Sequence, residues 1–182
     1  MDSNFIEQEL DTIVKSCVHT DNLNEWVMKN ERFKLKNNAL ICHLNINSLE
    51  AHFDNLLTTI NRALNKIDFL ALTETKLTET KLNLASHLEI QDFNSFHKLR
   101  NSNRGGGIAC FVKNNYAVEQ LEIDIDDCEC MFLRLKQKNI EVMSVLVVYR
   151  PPRNNPISFL ESLDKFLITL NDKNVVVIGD EY

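Results

Sequence analysis

Glycine and proline are scarce in this chain, with 4 and 3 residues among 182. That scarcity excludes a linker-rich or low-complexity protein. No apolar run approaches the ~20 residues of a membrane span, so no membrane partner is expected. The opening stretch MDSNFIEQELDTIV is acidic and mixed, unlike a secretory signal or an Arg-rich transit peptide. Basic residues are not in excess either: 20 Lys and Arg stand against 26 Asp and Glu, for a net charge of −6. A global basic footprint of the nucleic-acid kind is therefore absent, although local patches can act within an acidic chain. The 5 cysteines, Cys17, Cys42, Cys110, Cys128 and Cys130, contain no CxxC pair. Buried, reduced thiols and an intracellular setting are the expectation, with Cys128 and Cys130 at strand spacing on one face.

What is present is ordinary for a folded domain: 44% hydrophobic and 25% charged residues, in a chain long enough for one sizeable core. Residues 1–38 form an expected helical N-terminal extension. In it Ile6, Leu10, Ile13, Val14 and Cys17 recur at helical spacing, followed by Leu23, Trp26 and Val27. From Ala39 onward strands and helices alternate. ALICHLN (39–45) and IDFLALTE (67–74) are continuous apolar runs, as strands covered on both faces show. Between them, Leu49, Phe53, Leu56, Leu57, Ile60 and Leu64 make a helical stripe over 49–65, with Ser48 at the N-cap. This strand–helix–strand unit predicts two parallel neighbours.

A polar stretch, 75–92, leads to an expected hairpin of FNSFHKL (93–99) and GIACFVK (107–113). Two further strands, 130–136 and 141–149, are joined by QKN. A helix over 157–170 follows, with Asn155 as N-cap and Pro156 at its first position. NVVVIGD is the last strand. The expected fold class is α/β, with mixed sheets flanked by helices.

Polar residues close four of these strands: Asn45, Glu74, Tyr149 and Asp180. Carboxyl ends of strands are where open α/β sheets place ligands, although every strand must also end in something polar. On local grounds alone Asn45 or Asn47 caps a turn, and His43 is a core histidine. His97, with Lys98, Arg100 and Arg104, lies on a solvated hairpin whose basic cluster is open to DNA phosphates. Gly105, Gly106 and Gly107 mark a turn into a strand, because no helix follows them as a phosphate loop requires.

The ordered segments HLNINSL, DFLALTETKL, NRGGGIACFVK, VLVVYRPP and VVVIGD resemble the endonuclease/exonuclease/phosphatase superfamily. More narrowly they are similar to the apurinic-type endonuclease domain of non-LTR retrotransposons. The resemblance runs from about Ala39 to the last residue and implies a four-layered α/β/β/α sandwich, partial here, with mixed sheets. By the same resemblance Asn45 orients groups around a scissile phosphate, Glu74 holds Mg²⁺, Tyr149 contacts the phosphate, and Asp180 positions or deprotonates the attacking water. The implied activity is Mg²⁺-dependent nicking of DNA, in an intracellular setting that includes the nucleus. Such chemistry needs an activated water and neutralised phosphate oxygens, and a hard oxygen ligand suits Mg²⁺.

The pattern breaks at its end. The family continues with Asp, one residue, then Asn, whereas this chain reads Asp180-Glu181-Tyr182. No residue matches the later Asp or the Ser-Asp-His motif, so the expectation for 39–182 is a domain truncated in its C-terminal part. A general acid or base contributes about 10²–10⁴ in rate and an oxyanion donor about 10²–10³, so their loss predicts an impaired enzyme. The alternative is a non-catalytic interaction module, self-associating through exposed sheet surface.

Overall fold

The computed structural model describes residues 39–84, 87–100, 105–172 and 174–181, together with Thr20, Asn22 and Glu25. Apart from those three residues, the expected helical extension over 1–38 lies outside the described residues. Strand β1 (Ile41–Asn45) leads into helix α1 (Leu49–Ile60), whose buried residues are Leu49, Phe53, Leu56 and Ile60. Strand β2 (Phe69–Thr73) is buried at every position and runs parallel to β1, with Ile41 opposite Phe69 and Asn45 opposite Thr73. The predicted βαβ unit is therefore present.

Two details of that unit differ from expectation. The helix ends at Ile60 rather than near 65, and 61–66 form turns closed by Ala63 N–H to Ile60 O and Lys66 N–H to Ala63 O. These turns swing the buried Ile67 into β2. Ser48 makes no side-chain cap; it sits at φ 102, and its backbone N–H donates to Glu74 O at 2.8 Å. The start of α1 is fastened to the segment after β2 instead.

Within the polar stretch lies a short helix that periodicity did not announce, α2 (Glu79–Leu84), tied to α1 by the Lys81–Glu50 ion pair at 2.9 Å. The predicted hairpin follows as β3 (Phe93–Lys98) and β4 (Ile108–Lys113), antiparallel. Strand β4 also pairs with β2, giving a first sheet of order β1-β2-β4-β3.

The second sheet opens with β5 (Ala117–Leu121), also unannounced because its residues alternate only weakly in hydrophobicity. Then come β6 (Glu129–Gln137) and β7 (Ile140–Arg150). Lys138 and Asn139 between them both have positive φ, 51° and 64°, as a two-residue hairpin turn demands. Helix α3 (Pro156–Thr169) has the predicted cap, Asn155 Oδ1 accepting from Ile157 N–H at 3.0 Å. It returns the chain to β8 (Val175–Glu181), parallel to β7, for an order β5-β6-β7-β8.

Alternation along the strands sorts side chains into three apolar layers. Leu49, Phe53 and Leu56 of α1 pack with Leu70, Leu72 and Phe111 on the outer face of the first sheet. Phe69, Ala71 and Cys110 meet Met131, Leu133, Val145 and Val147 between the sheets. Phe159 of α3, with Leu163 and Phe166, covers Phe132, Leu146 and Val148 on the outer face of the second. This is a mixed α/β/β/α sandwich, as the resemblance implied. Cys42, Cys110, Cys128 and Cys130 are free thiols. Among the described residues no helix is long and apolar enough to cross a membrane.

Candidate functional site

Each sheet contains one parallel pair, β1–β2 in the first and β7–β8 in the second, and the carboxyl ends of both pairs meet. Tyr149 stands opposite Asp180 in the second sheet, while Glu74 follows β2 directly. Two side-chain hydrogen bonds cross between the sheets at this point. Tyr149 Oη donates to Glu74 Oε1 at 3.1 Å, and Thr73 Oγ1 donates to Asp180 Oδ2 at 2.6 Å. Asn45 lies in register with Thr73, and its Oδ1 accepts from Asn47 N–H at 3.1 Å. All four sequence-predicted site residues thus come to one rim. Asn45 caps a turn there as well, so its local role and its place in the cluster coexist.

The rim is held by unusual backbone. Glu74 and Lys76 both sit at positive φ, 53° and 54°, as do Asn47 and Ser48. Non-glycine residues rarely adopt this region, and strain of this kind collects at functional sites. The segment 74–76 is clamped on both sides. Leu49 N–H donates to Thr75 O at 2.9 Å, and on the other flank Thr75 N–H and Lys76 N–H donate to Gly107 O and Gly106 O at 3.1 and 2.9 Å. Gly107 has φ 87°, and a Cβ there would overlap Thr75 Oγ1. The glycine run is thus a turn into β4 that also grips Thr75 and Lys76, the residues that follow Glu74.

Burial and charge act together on two groups nearby. His43 donates or accepts at Thr73 Oγ1 across 3.0 Å and lies 3.9 Å from Asp180 Oδ2. Burial holds its imidazole below the ordinary histidine range, against the opposing pull of the Asp180 charge. Glu129 accepts from Gly107 N–H. Burial pushes its carboxyl up, while that N–H, Lys98 and Arg100 act in the other direction.

His97 is not on a solvated hairpin, as its polar neighbours predicted. It is half-buried, edge-on to Phe111 with centroids 6.2 Å apart, and burial lowers its pKa. Lys98 and Arg100 are half-buried too. The apolar layer beneath α1 reaches further along β3 than the composition of FNSFHKL indicated.

Thr73, Glu129 and the part played by His43 were not among the predicted site residues. A signal for His43 existed: it stands two residues before Asn45, and so on the same face of β1. For Glu129 there was none, because its partner is a backbone N–H distant in the chain.

Among the described residues no group of three or more His, Cys, Asp or Glu gathers to hold a metal. Mg²⁺, however, keeps most of its waters and takes one or two carboxylates. Glu74 fits that requirement: it is an oxygen donor at the rim, half-buried, and oriented through one oxygen by Tyr149.

No family model matches the sequence, and no curated protein matches it. Solved structures do. The chain is similar to the 3′ phosphatase NExo from Neisseria bound to product DNA hairpin, with a TM-score of 0.53 and 17% identity over 77% of this chain and 56% of that one. It is also similar to the AP endonuclease LMAP from Leishmania major, with a TM-score of 0.51 and 14% identity over 77% of this chain and 53% of that one. At such identities the likeness is one of fold: the α/β sandwich of the endonuclease/exonuclease/phosphatase proteins. The chain spans little more than half the length of each of these two structures.

Proposed function

We propose that this rim is the metal-holding and phosphate-facing part of a DNA phosphodiesterase site of the non-LTR retrotransposon endonuclease type. The observation that carries the proposal is the pair of cross-sheet hydrogen bonds, Tyr149 to Glu74 and Thr73 to Asp180. Strand ends from two sheets converge on carboxylates that are each oriented by a hydroxyl. Glu74 would hold Mg²⁺, which when bound supplies charge neutralisation for phosphate oxygens. Tyr149, 3% exposed, fixes the Glu74 carboxylate and presents a phenol beside it without adding charge. Asn45 supplies an amide for orienting the phosphate, and Asp180 a carboxylate to hold or accept a proton from an attacking water. DNA is the intended partner and the nucleus the matching compartment.

In NMR spectra of the whole chain, added Mn²⁺ should broaden amide signals around Glu74. Glu74→Gln should abolish that broadening; broadening indifferent to the substitution would remove the metal role. Any Mg²⁺-dependent nicking of supercoiled plasmid should be lost in Glu74→Gln and in Asp180→Asn, and nicking indifferent to both substitutions would overturn the proposed site.

A second reading, a non-catalytic interaction module, draws on one feature. Strand β8 is an edge of its sheet, with Val177 42% exposed, and Leu44 on the edge strand β1 is 42% exposed. Unpaired apolar edges favour association.

A further inference from the structure

We propose that His43 and Thr73 are positioning residues for Asp180, joined to it in a directional hydrogen-bond relay: His43 Nε2–H to Thr73 Oγ1, and Thr73 Oγ1–H to the Asp180 carboxylate. The role rests on the function proposed above, in which Asp180 faces the attacking water.

The relay follows from register and donor counting. Ile41 and Phe69 point into the layer between the sheets, so alternation places His43 and Thr73 on that same face. Ile178 of β8 points into the same layer, and Asp180, two residues on, shares its face. Three polar residues from three strands therefore enter a layer otherwise lined by Phe69, Ala71, Ile108 and Val147. Buried polar groups are tolerated when they satisfy one another, and these do: His43 Nε2 is 3.0 Å from Thr73 Oγ1, which is 2.6 Å from Asp180 Oδ2.

A threonine hydroxyl has one proton to give. Its short contact with Asp180 falls in the range of a charge-assisted O–H···O⁻ bond, so the proton is spent on the carboxylate. Thr73 Oγ1 is then an acceptor towards His43, which fixes the imidazole as the Nε2–H tautomer. With Oδ2 occupied from inside the sandwich, Asp180 retains Oδ1 for the rim. Ala71, opposite His43 in register, leaves the imidazole room on the strand face beside Thr73.

The test is the tautomer. In the whole chain labelled with ¹⁵N-histidine, long-range ¹⁵N–¹H spectra at pH 7.5 should show one ring fixed as Nε2–H. That ring is assigned as the signal set missing from His43→Gln. Thr73→Ser, which keeps the hydroxyl, should retain the fixed tautomer; Thr73→Val should convert it to a mixture of both forms. An Nδ1–H ring in the parent chain overturns the relay, as does a fixed Nε2–H ring that persists in Thr73→Val. If Thr73→Val does not fold, Asp180→Ala serves in its place. Removing the carboxylate frees the threonine proton, so the relay requires the tautomer preference to weaken, and an unchanged preference overturns it. Mn²⁺ broadening on the same samples reports separately: a relay signature without broadening around Glu74 counts against the proposed function alone.

Discussion

At the scale of single residues the rim depends on a few hydroxyls and rings placed where apolar side chains would pack more simply. Tyr149→Phe removes the Oη bond to Glu74 while keeping the ring. It should cost about 0.5–1.5 kcal/mol of unfolding free energy, the usual worth of one hydrogen bond, measured by urea titration. The two perturbed histidines, His43 and His97, give a pH dependence whose sign is fixed. Burial lowers both folded pKa values below an unfolded value near 6.5, so the unfolded chain binds more protons just below that pH. Stability is then complete above about pH 6.5 and falls as the pH drops below it, until the folded values are passed. Melting temperatures from pH 7.5 to 5 should decline, and His97→Phe should flatten the decline by removing one of the two contributors.

At the scale of elements, the strand that delivers Asp180 relies on one glycine. A Cβ on Gly179 would overlap the Val148 carbonyl oxygen of β7, and its φ of 153° suits no other residue well. Gly179→Ala should therefore destabilise by at least about 1–3 kcal/mol through strain and overpacking. It should also shift the NMR signals of Asp180 and Thr73 more than those of β4. Helix α3 hangs on Phe159, 1% exposed, while Ile157, Leu160 and Ile168 face outward at 56–75%. Phe159→Ala should cost about 3–5 kcal/mol, and Ile168→Ala much less, as chemical denaturation would show.

Elements with strong patterning were legible in the sequence: the βαβ unit, both hairpins and the Asn155–Pro156 start of α3 could be read from apolar spacing and turn residues alone. What was not legible depends on partners distant in the chain. Ser48 looked like a cap because caps are local, yet its N–H is taken by Glu74 O. His97 looked solvated among polar neighbours, yet Phe111 lies beneath it. Strand β5 and helix α2 carry too little periodicity to announce themselves. The four rim residues were legible from strand ends and from resemblance, but Thr73 and His43 acquire meaning only once β2 faces β8.

At the scale of the whole molecule, the two four-stranded sheets leave β1, β3, β5 and β8 as edges among the described residues. Concentrated solutions should show reversible self-association by sedimentation velocity. Val177→Lys, on the β8 edge, should shift the population towards monomer; an unaltered distribution would locate any association elsewhere. The net charge of −6 opposes such contacts by general repulsion, so added salt should strengthen them.

The bond from Thr73 to Asp180 joins residues 107 apart in the chain, and that from Tyr149 to Glu74 joins residues 75 apart. Neither can form until intervening strands have found their places, and closing such long loops delays folding. The first sheet, built by β1 to β4, can assemble while Thr73 still lacks its carboxylate. During refolding, amides of β2 and β4 should gain protection from hydrogen exchange before those of β8. The rim would then be the last part of the protein to come into being, completed only when the β8 strand arrives.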